Sequence, residues 1–223
     1  MIEDIIYMKK NGVMLVGLCG RSGSGKGYIA KMFADCGIPS VDTDAVYRRM
    51  TAPVCDRSAL SPCMNELIER FGEQILSSDR SLNRAVMRTL VFGGDTAALA
   101  DLNRITHRHI LAETQAIAER LYREGADIVL IDAPVLYESG FDRMCEQVVC
   151  VTAPEDVIVS RIMKRDGLSE EDAKKRLASQ KTREELEDRA DVVIDNNDER
   201  PVLYERVRRC VDHLRTIRRE RYE

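Results

Sequence analysis

Val13-Met14-Leu15-Val16-Gly17-Leu18-Cys19-Gly20-Arg21-Ser22-Gly23-Ser24-Gly25-Lys26-Gly27 is the stretch that decides the fold. The run from Val13 to Leu18 is short and almost wholly apolar, as expected of a strand buried on both faces of a sheet. Beyond the glycines, Ile29, Ala30, Met32 and Phe33 recur at helical spacing until Gly37-Ile38-Pro39 stops the helix. Between strand and helix, Gly20 to Lys26 reads as a glycine, four residues, then Gly-Lys, the spacing of a loop that cradles a polyphosphate. The glycines Gly20, Gly23 and Gly25 let backbone N–H groups turn inward between Arg21, Ser22 and Ser24, and the helix N-terminus adds partial positive charge. Lys26 supplies a full charge for the β- and γ-phosphates of a nucleotide. A plain glycine-rich turn needs neither the lysine nor this spacing.

Working outward, a second short strand is expected over Ile38 to Val41, followed by Asp42-Thr43-Asp44 and a helix-compatible stretch to Met50. Residues 58–125 are mostly helical by pattern, with Leu67, Ile68 and Phe71, then Leu82, Val86 and Leu90, then Leu99, Leu102, Ile105 and Leu111. Asp127 to Asp132 and Gln147 to Val151 read as buried strands rich in β-branched residues. Pro154 opens a helix to about Arg165, Ser169 caps another, Val192 to Ile194 forms a last strand, and Pro201 begins a C-terminal helix. Strands alternating with helices predict an α/β fold: a doubly wound, mostly parallel sheet of about five strands. One domain over 12–223 is expected, after an N-terminal extension at 1–11.

The bulk properties exclude several classes. A chain of 223 residues buries a sizeable core without disulfides or a metal. With 44% hydrophobic and 32% charged residues it reads as neither a disordered chain nor a membrane protein. A net charge of -4 argues against nucleic acid as a partner. The arginines from Arg206 to Arg221 alternate with apolar positions and acids, as on a solvated helix face. Seven cysteines, odd in number and without a C-x-x-C pair, suit neither a disulfide framework nor zinc, so a cytoplasmic protein is expected. The oligomeric state stays open.

The remaining polar residues bear on the group that would receive a phosphate. Gly27 stands where the usual loop has Ser or Thr to hold Mg²⁺, and no hydroxyl follows until Tyr28. The cradle is mostly backbone, and Mg²⁺ can be held by phosphate oxygens and water instead. A phosphate acceptor arrives deprotonated, whereas an alcohol must lose a proton and benefits from a carboxylate. Asp42 and Asp44, two apart, would project the same way on an extended segment at a strand's carboxyl end, which favours an alcohol acceptor. Either acid also reads as a helix N-cap or first-turn residue. Asp132, ending an apolar strand, suits a water-mediated Mg²⁺ contact, or a turn before Pro134. His107 and His109 fall on different faces of a helix and make no metal pair. The long helical stretch reads as an acceptor-binding insertion. Lys164, Arg165, Lys174, Lys175 and Arg176 read as a lid over the phosphates, or as a solvated helical hairpin.

A family resemblance rests on motifs in order: Gly17 to Lys26, Asp42-Thr43-Asp44-Ala45, Asn83-Arg84, Ile105-Thr106-His107, Asp132-Ala133-Pro134-Val135-Leu136-Tyr137-Glu138, Arg165-Asp166-Gly167-Leu168-Ser169, Arg176-Leu177-Ala178-Ser179-Gln180 and Ala190 to Asn196. Over this span the chain resembles dephospho-coenzyme A kinase. The Gly-Lys-Gly run is also similar to that of adenylate-kinase-like enzymes. Asn83 stands where the family usually has Asp, and Arg108 where it usually has Pro. The resemblance implies an ATP-dependent kinase acting on the ribose 3′-hydroxyl of dephospho-coenzyme A, the last step of coenzyme A biosynthesis, with Mg²⁺. It implies Asp44 as base, Lys26 and Arg165 on the transferring group, and Gly20 to Tyr28, Arg176 and Asn196 on ATP. Asp42, Arg84, His107, Leu136 and Glu138 would face the acceptor, with Asp42 and Asp132 supporting the metal and residues 163–180 forming the lid. A nucleoside monophosphate kinase of the same fold, or a nucleotide-binding protein without catalysis, are the rival readings.

Overall fold

Strand β1 (Met14–Cys19) is buried along all six residues because neighbours flank it on both edges. On one edge it pairs in parallel with β3 (Ile128–Asp132), Leu18 lying opposite Asp132. On the other it pairs in parallel with β4 (Gln147–Thr152), which in turn pairs with β5 (Val192–Asp195). With β2 (Ser40–Asp42) outside β3, the order is β2-β3-β1-β4-β5, all parallel. The order reverses direction at β1, so the loop after Cys19 opens at the topological switch point, where such sheets bind ligands. A computed structural model describes residues 12–94 and 97–222. The expected extension at 1–11 lies outside the described residues.

The alternation along β1 sends Met14, Val16 and Leu18 to one face, where they meet Ile29 and Phe33 of α1 (Lys26–Asp35). Ile38 is tied to that helix rather than to the sheet, its N–H donating to Phe33 O at 3.0 Å. The second strand therefore starts later than its apolar run. On the opposite face, a side chain at Gly17 would run into Leu136, which explains a glycine in the middle of a buried strand.

The chain divides into two compact units, one up to Val41 and from Ile117 onward, the other Asp42–Ala116. The second unit is helical: α2 (Thr43–Met50), α3 (Pro62–Phe71), α4 (Arg84–Phe92) and the first part of α5 (Ala98–Arg123). Ser61 caps α3 by accepting from Met64 N at 3.1 Å, with Pro62 at the first helical position. Its core joins Leu60, Met64, Leu67, Phe71 and Ile75 with Met87, Val91 and Ile105. In the first unit, α6 (Glu155–Asp166), α7 (Glu170–Ala178) and α8 (Arg183–Glu187) follow β4, and α9 (Arg200–Tyr222) ends the described chain. Ser169 caps α7 through Asp172 N, as its sequence predicts. Among the described residues no helix is long and apolar enough to cross a membrane.

Candidate active site

The loop after β1 is shaped by its own backbone and by side chains beneath it. Ser24 N donates to Arg21 O at 3.0 Å, closing a tight turn, and Tyr28 N donates to Gly25 O at 2.8 Å as α1 begins. Gly25 is the helix N-cap, left-handed at φ 89°, and has no side chain with which to cap. A Cβ there would overlap the Asn196 amide, so this position combines a backbone and a packing demand for glycine. First-turn N–H groups of a helix lack intrahelical acceptors, which leaves this end open to an anion.

Lys26 forms an ion pair with Asp132, which parallel pairing of β1 and β3 sets beside the loop. The two side chains are 15% and 14% exposed, so the lysine is held at the base of the site rather than free in solvent. Tyr28, by contrast, is 44% exposed on α1. Leu136 is buried against the sheet and Glu138 is exposed, 4.0 Å from Lys181. Between them, Tyr137 stacks against Arg189, whose guanidinium is 3.7 Å from the ring centroid. Burial pushes the Tyr137 hydroxyl pKa up.

The basic cluster near 165 is organised by one acid. Arg165 donates to both carboxylate oxygens of Asp166 at 2.8 Å, and Arg176 of α7 pairs with the same carboxylate. Hydrogen bonds from Arg165 and then Arg176 hold Asp166 down to about 2. Arg165 also donates to Ser22 Oγ at 3.1 Å, and Gln180 Oε1 accepts from Ser22 N at 2.9 Å. Arg21 donates to Leu177 O at 2.9 Å. The end of α7 is thus fastened to the phosphate loop, while Lys174 and Lys175 pair with Glu170 and Glu171 on the exposed side of the same helix. Arg161 and Gln180 were not singled out by spacing, because their partners lie far away in the chain.

In the second unit the acids differ from the extended geometry that their spacing suggests. Asp42 ends β2 and caps α2, its Oδ1 accepting from Ala45 N at 2.9 Å, while Arg48 lies 3.4 Å from Oδ2. Asp44 is exposed in the first turn of α2. The chain turns into helix at Thr43, so the two carboxylates are not aligned on one face of a strand. Tyr47, one turn beyond Asp44, lies under Arg84, whose guanidinium is 5.4 Å from the ring centroid. Burial raises the Tyr47 pKa, and the Arg84 charge acts against that rise. His107 is half-buried on α5, and desolvation lowers its pKa, which favours the neutral ring. His109 instead meets Glu66 Oε2 at 2.8 Å.

With this geometry in place, the family model CoaE, dephospho-CoA kinase, matches residues 14–201. The chain belongs to the dephospho-CoA kinase family. A curated dephospho-CoA kinase of Syntrophotalea carbinolica is 38% identical over 185 residues, 83% of this chain and 84% of that protein. A Thermus thermophilus crystal structure superposes with a TM-score of 0.71 at 29% identity, covering 89% of this chain and 96% of that one. The dephospho-CoA kinase of Campylobacter jejuni shares the fold, with a TM-score of 0.55 at 22% identity over 89% of this chain and 96% of that one. Two departures from the family motifs have local explanations. Asn83 caps α4 by accepting from Val86 N at 3.1 Å, which an aspartate does equally well. Arg108 sits inside α5 and pairs with Glu66.

Proposed function

We propose that this chain transfers the γ-phosphoryl group of ATP to the 3′-hydroxyl of dephospho-coenzyme A, as its family membership and the phosphate loop with its paired Lys26 and Asp132 support. The single observation that carries the reading is that pair, set at the head of a helix whose N-terminal N–H groups are open to an anion. In this reading Gly20 to Gly27 and the start of α1 at Tyr28 hold the triphosphate. Lys26 exchanges Asp132 for the β- and γ-phosphates. Asp44 takes the proton of the 3′-hydroxyl as its oxygen bonds to phosphorus, the bridging bond breaks, and ADP leaves. Arg165 and Arg176, preset by Asp166, neutralise charge on the transferring group. Arg84 and His107, in an acceptor region spanning 58–125, contact the acceptor, as do Asp42 and Glu138 outside that region. Leu136, buried under the sheet, shapes the site by packing. The setting is the cytoplasm, which suits seven cysteines that are all free.

Mg²⁺ fits the residues present. Among the described residues no group of three or more His, Cys, Asp or Glu forms a protein cage, and Mg²⁺ with a nucleotide needs only one or two carboxylates, phosphates and water. Asp132 would hold it through water. Bound Mg²⁺ would neutralise charge on the β- and γ-phosphates.

Gly27 gives a direct check on that arrangement. A Cβ at Gly27 would meet nothing within 4 Å, so serine fits without displacement. Gly27→Ser should retain kcat within about threefold, with apparent Mg²⁺ affinity equal or higher in a titration at fixed ATP. A large fall in kcat with unchanged Mg²⁺ dependence would show instead that the bound acceptor or nucleotide occupies this space.

The acceptor is tested by ADP release across dephospho-coenzyme A, adenosine monophosphate, cytidine monophosphate, gluconate and shikimate. Dephospho-coenzyme A should stand out. Preference for a monophosphate would favour the nucleoside monophosphate reading, to which the Gly-Lys-Gly run at Gly27 points. Tight ATP binding without turnover of any acceptor would favour a non-catalytic protein.

A further inference from the structure

Beneath the phosphate loop lie two side chains that donate hydrogen bonds to backbone carbonyls. Arg161, on α6, brings Nη1 to 3.4 Å from Gly23 O and 3.3 Å from Ser24 O, and its Nη2 donates to Asn196 O at 3.0 Å. Asn196 follows β5 and is 5% exposed. Its Nδ2 donates to Ser24 O at 2.7 Å, and its N–H donates to Thr152 O at the end of β4, also at 2.7 Å. The Ser24 carbonyl therefore receives donors from both side chains, and the pair is itself anchored to the sheet.

We infer that Arg161 and Asn196 are positioning residues that hold the loop in its phosphate-binding shape before a nucleotide arrives. In a trans peptide the C=O and the following N–H point in opposite directions. Fastening Ser24 O from below therefore turns the Gly25 N–H away from the protein, toward the cradle. The same contact fixes Gly25 at its left-handed φ of 89° and sets the first residue of α1. Without these donors the buried carbonyls would need other partners, and the loop would relax out of the cradle geometry. Preorganisation of this kind acts on phosphate affinity rather than on the acceptor. For Asn196 this replaces contact with the nucleotide by support of the loop. The inference rests on the proposed function only in requiring that the loop bind a triphosphate.

The test measures binding by calorimetry, without acceptor, using ATP and inorganic tripolyphosphate on the full chain. Arg161→Met and Asn196→Leu, each of similar size to the original, should weaken both ligands by the same factor, about tenfold or more. Arg161→Lys keeps the charge but gathers its donors on one nitrogen, without the two separate nitrogens that reach Ser24 O and Asn196 O, and it should lose affinity too, by a smaller factor. The KM for the acceptor, which should stay near the wild-type value, separates this role from a general loss of structure, while the melting temperature should fall by only a few degrees. Arg161→Lys binding like the wild type would reduce the effect to charge and overturn the inference. So would loss of ATP affinity with tripolyphosphate unaffected, which would assign Asn196 to the nucleoside, or a parallel fall in melting temperature and acceptor affinity. Should Arg161→Met fail to fold, Arg161→Lys and Asn196→Leu decide by the same criteria. A wild-type chain that binds neither ligand would overturn the loop's assignment itself and this inference with it. A wild-type chain that binds both but turns over no dephospho-coenzyme A would leave the inference standing and remove only the acceptor.

Discussion

Lys26→Ala should abolish phosphoryl transfer, leaving less than about one part in a thousand of the wild-type rate. The lysine brings a full charge into a cradle made largely of backbone dipoles, and it meets charge that builds on the β- and γ-phosphates. Its ion pair with Asp132 complicates the reading, because truncation leaves a mostly buried carboxylate without that partner. Removing one member of a buried ion pair costs up to about 3 to 5 kcal/mol. The double variant Lys26→Ala/Asp132→Asn relieves that cost and should melt close to the wild type while remaining inactive. A rate within a few-fold of wild type in a folded Lys26→Ala protein would remove the loop from the chemistry.

Asp44→Asn is expected to lower kcat with dephospho-coenzyme A by about 100-fold or more, with little change in ATP affinity. The amide keeps the shape of the side chain and its place in the first turn of α2, but it cannot accept the hydroxyl proton. Asp44 is exposed and Asp42 is committed to the helix cap, which separates the roles of the two acids. Asp42→Asn retains an oxygen for the cap and should therefore keep α2 intact. If Asp44→Asn instead loses ATP affinity and turns over normally at saturation, Asp44 binds and the base lies elsewhere.

Much of the architecture was legible in the sequence because it is local. The apolar run before Gly20, the helical spacing after it, and the short strands ending at Asp132 and near Val151 each follow from periodicity within a few residues. The cap at Ser169 follows from residue type. What was not legible depends on pairing across the fold. Asp42 and Asp44 look aligned in a strand, but helix begins between them at Thr43. Lys26 looks like an exposed loop residue, yet the register of β1 against β3 brings Asp132 to it. Arg161 is one arginine among many on a helix, and only its contacts with Gly23, Ser24 and Asn196, as many as 138 residues away, distinguish it. Asp166 drew notice as part of a motif, but its grip on both Arg165 and Arg176 requires α6 and α7 to meet.

The most direct measurement follows the phosphorus atom itself. Dephospho-coenzyme A is incubated with the enzyme, Mg²⁺ and ATP labelled in the γ-phosphoryl group, and the product is separated and treated with a phosphatase specific for 3′-phosphates. Label should appear in a product that comigrates with coenzyme A and should be released by the 3′-specific enzyme, with loss of all of it when Lys26→Ala replaces the wild type. Label recovered only as inorganic phosphate, or on a product that resists the 3′-specific enzyme, would contradict the account.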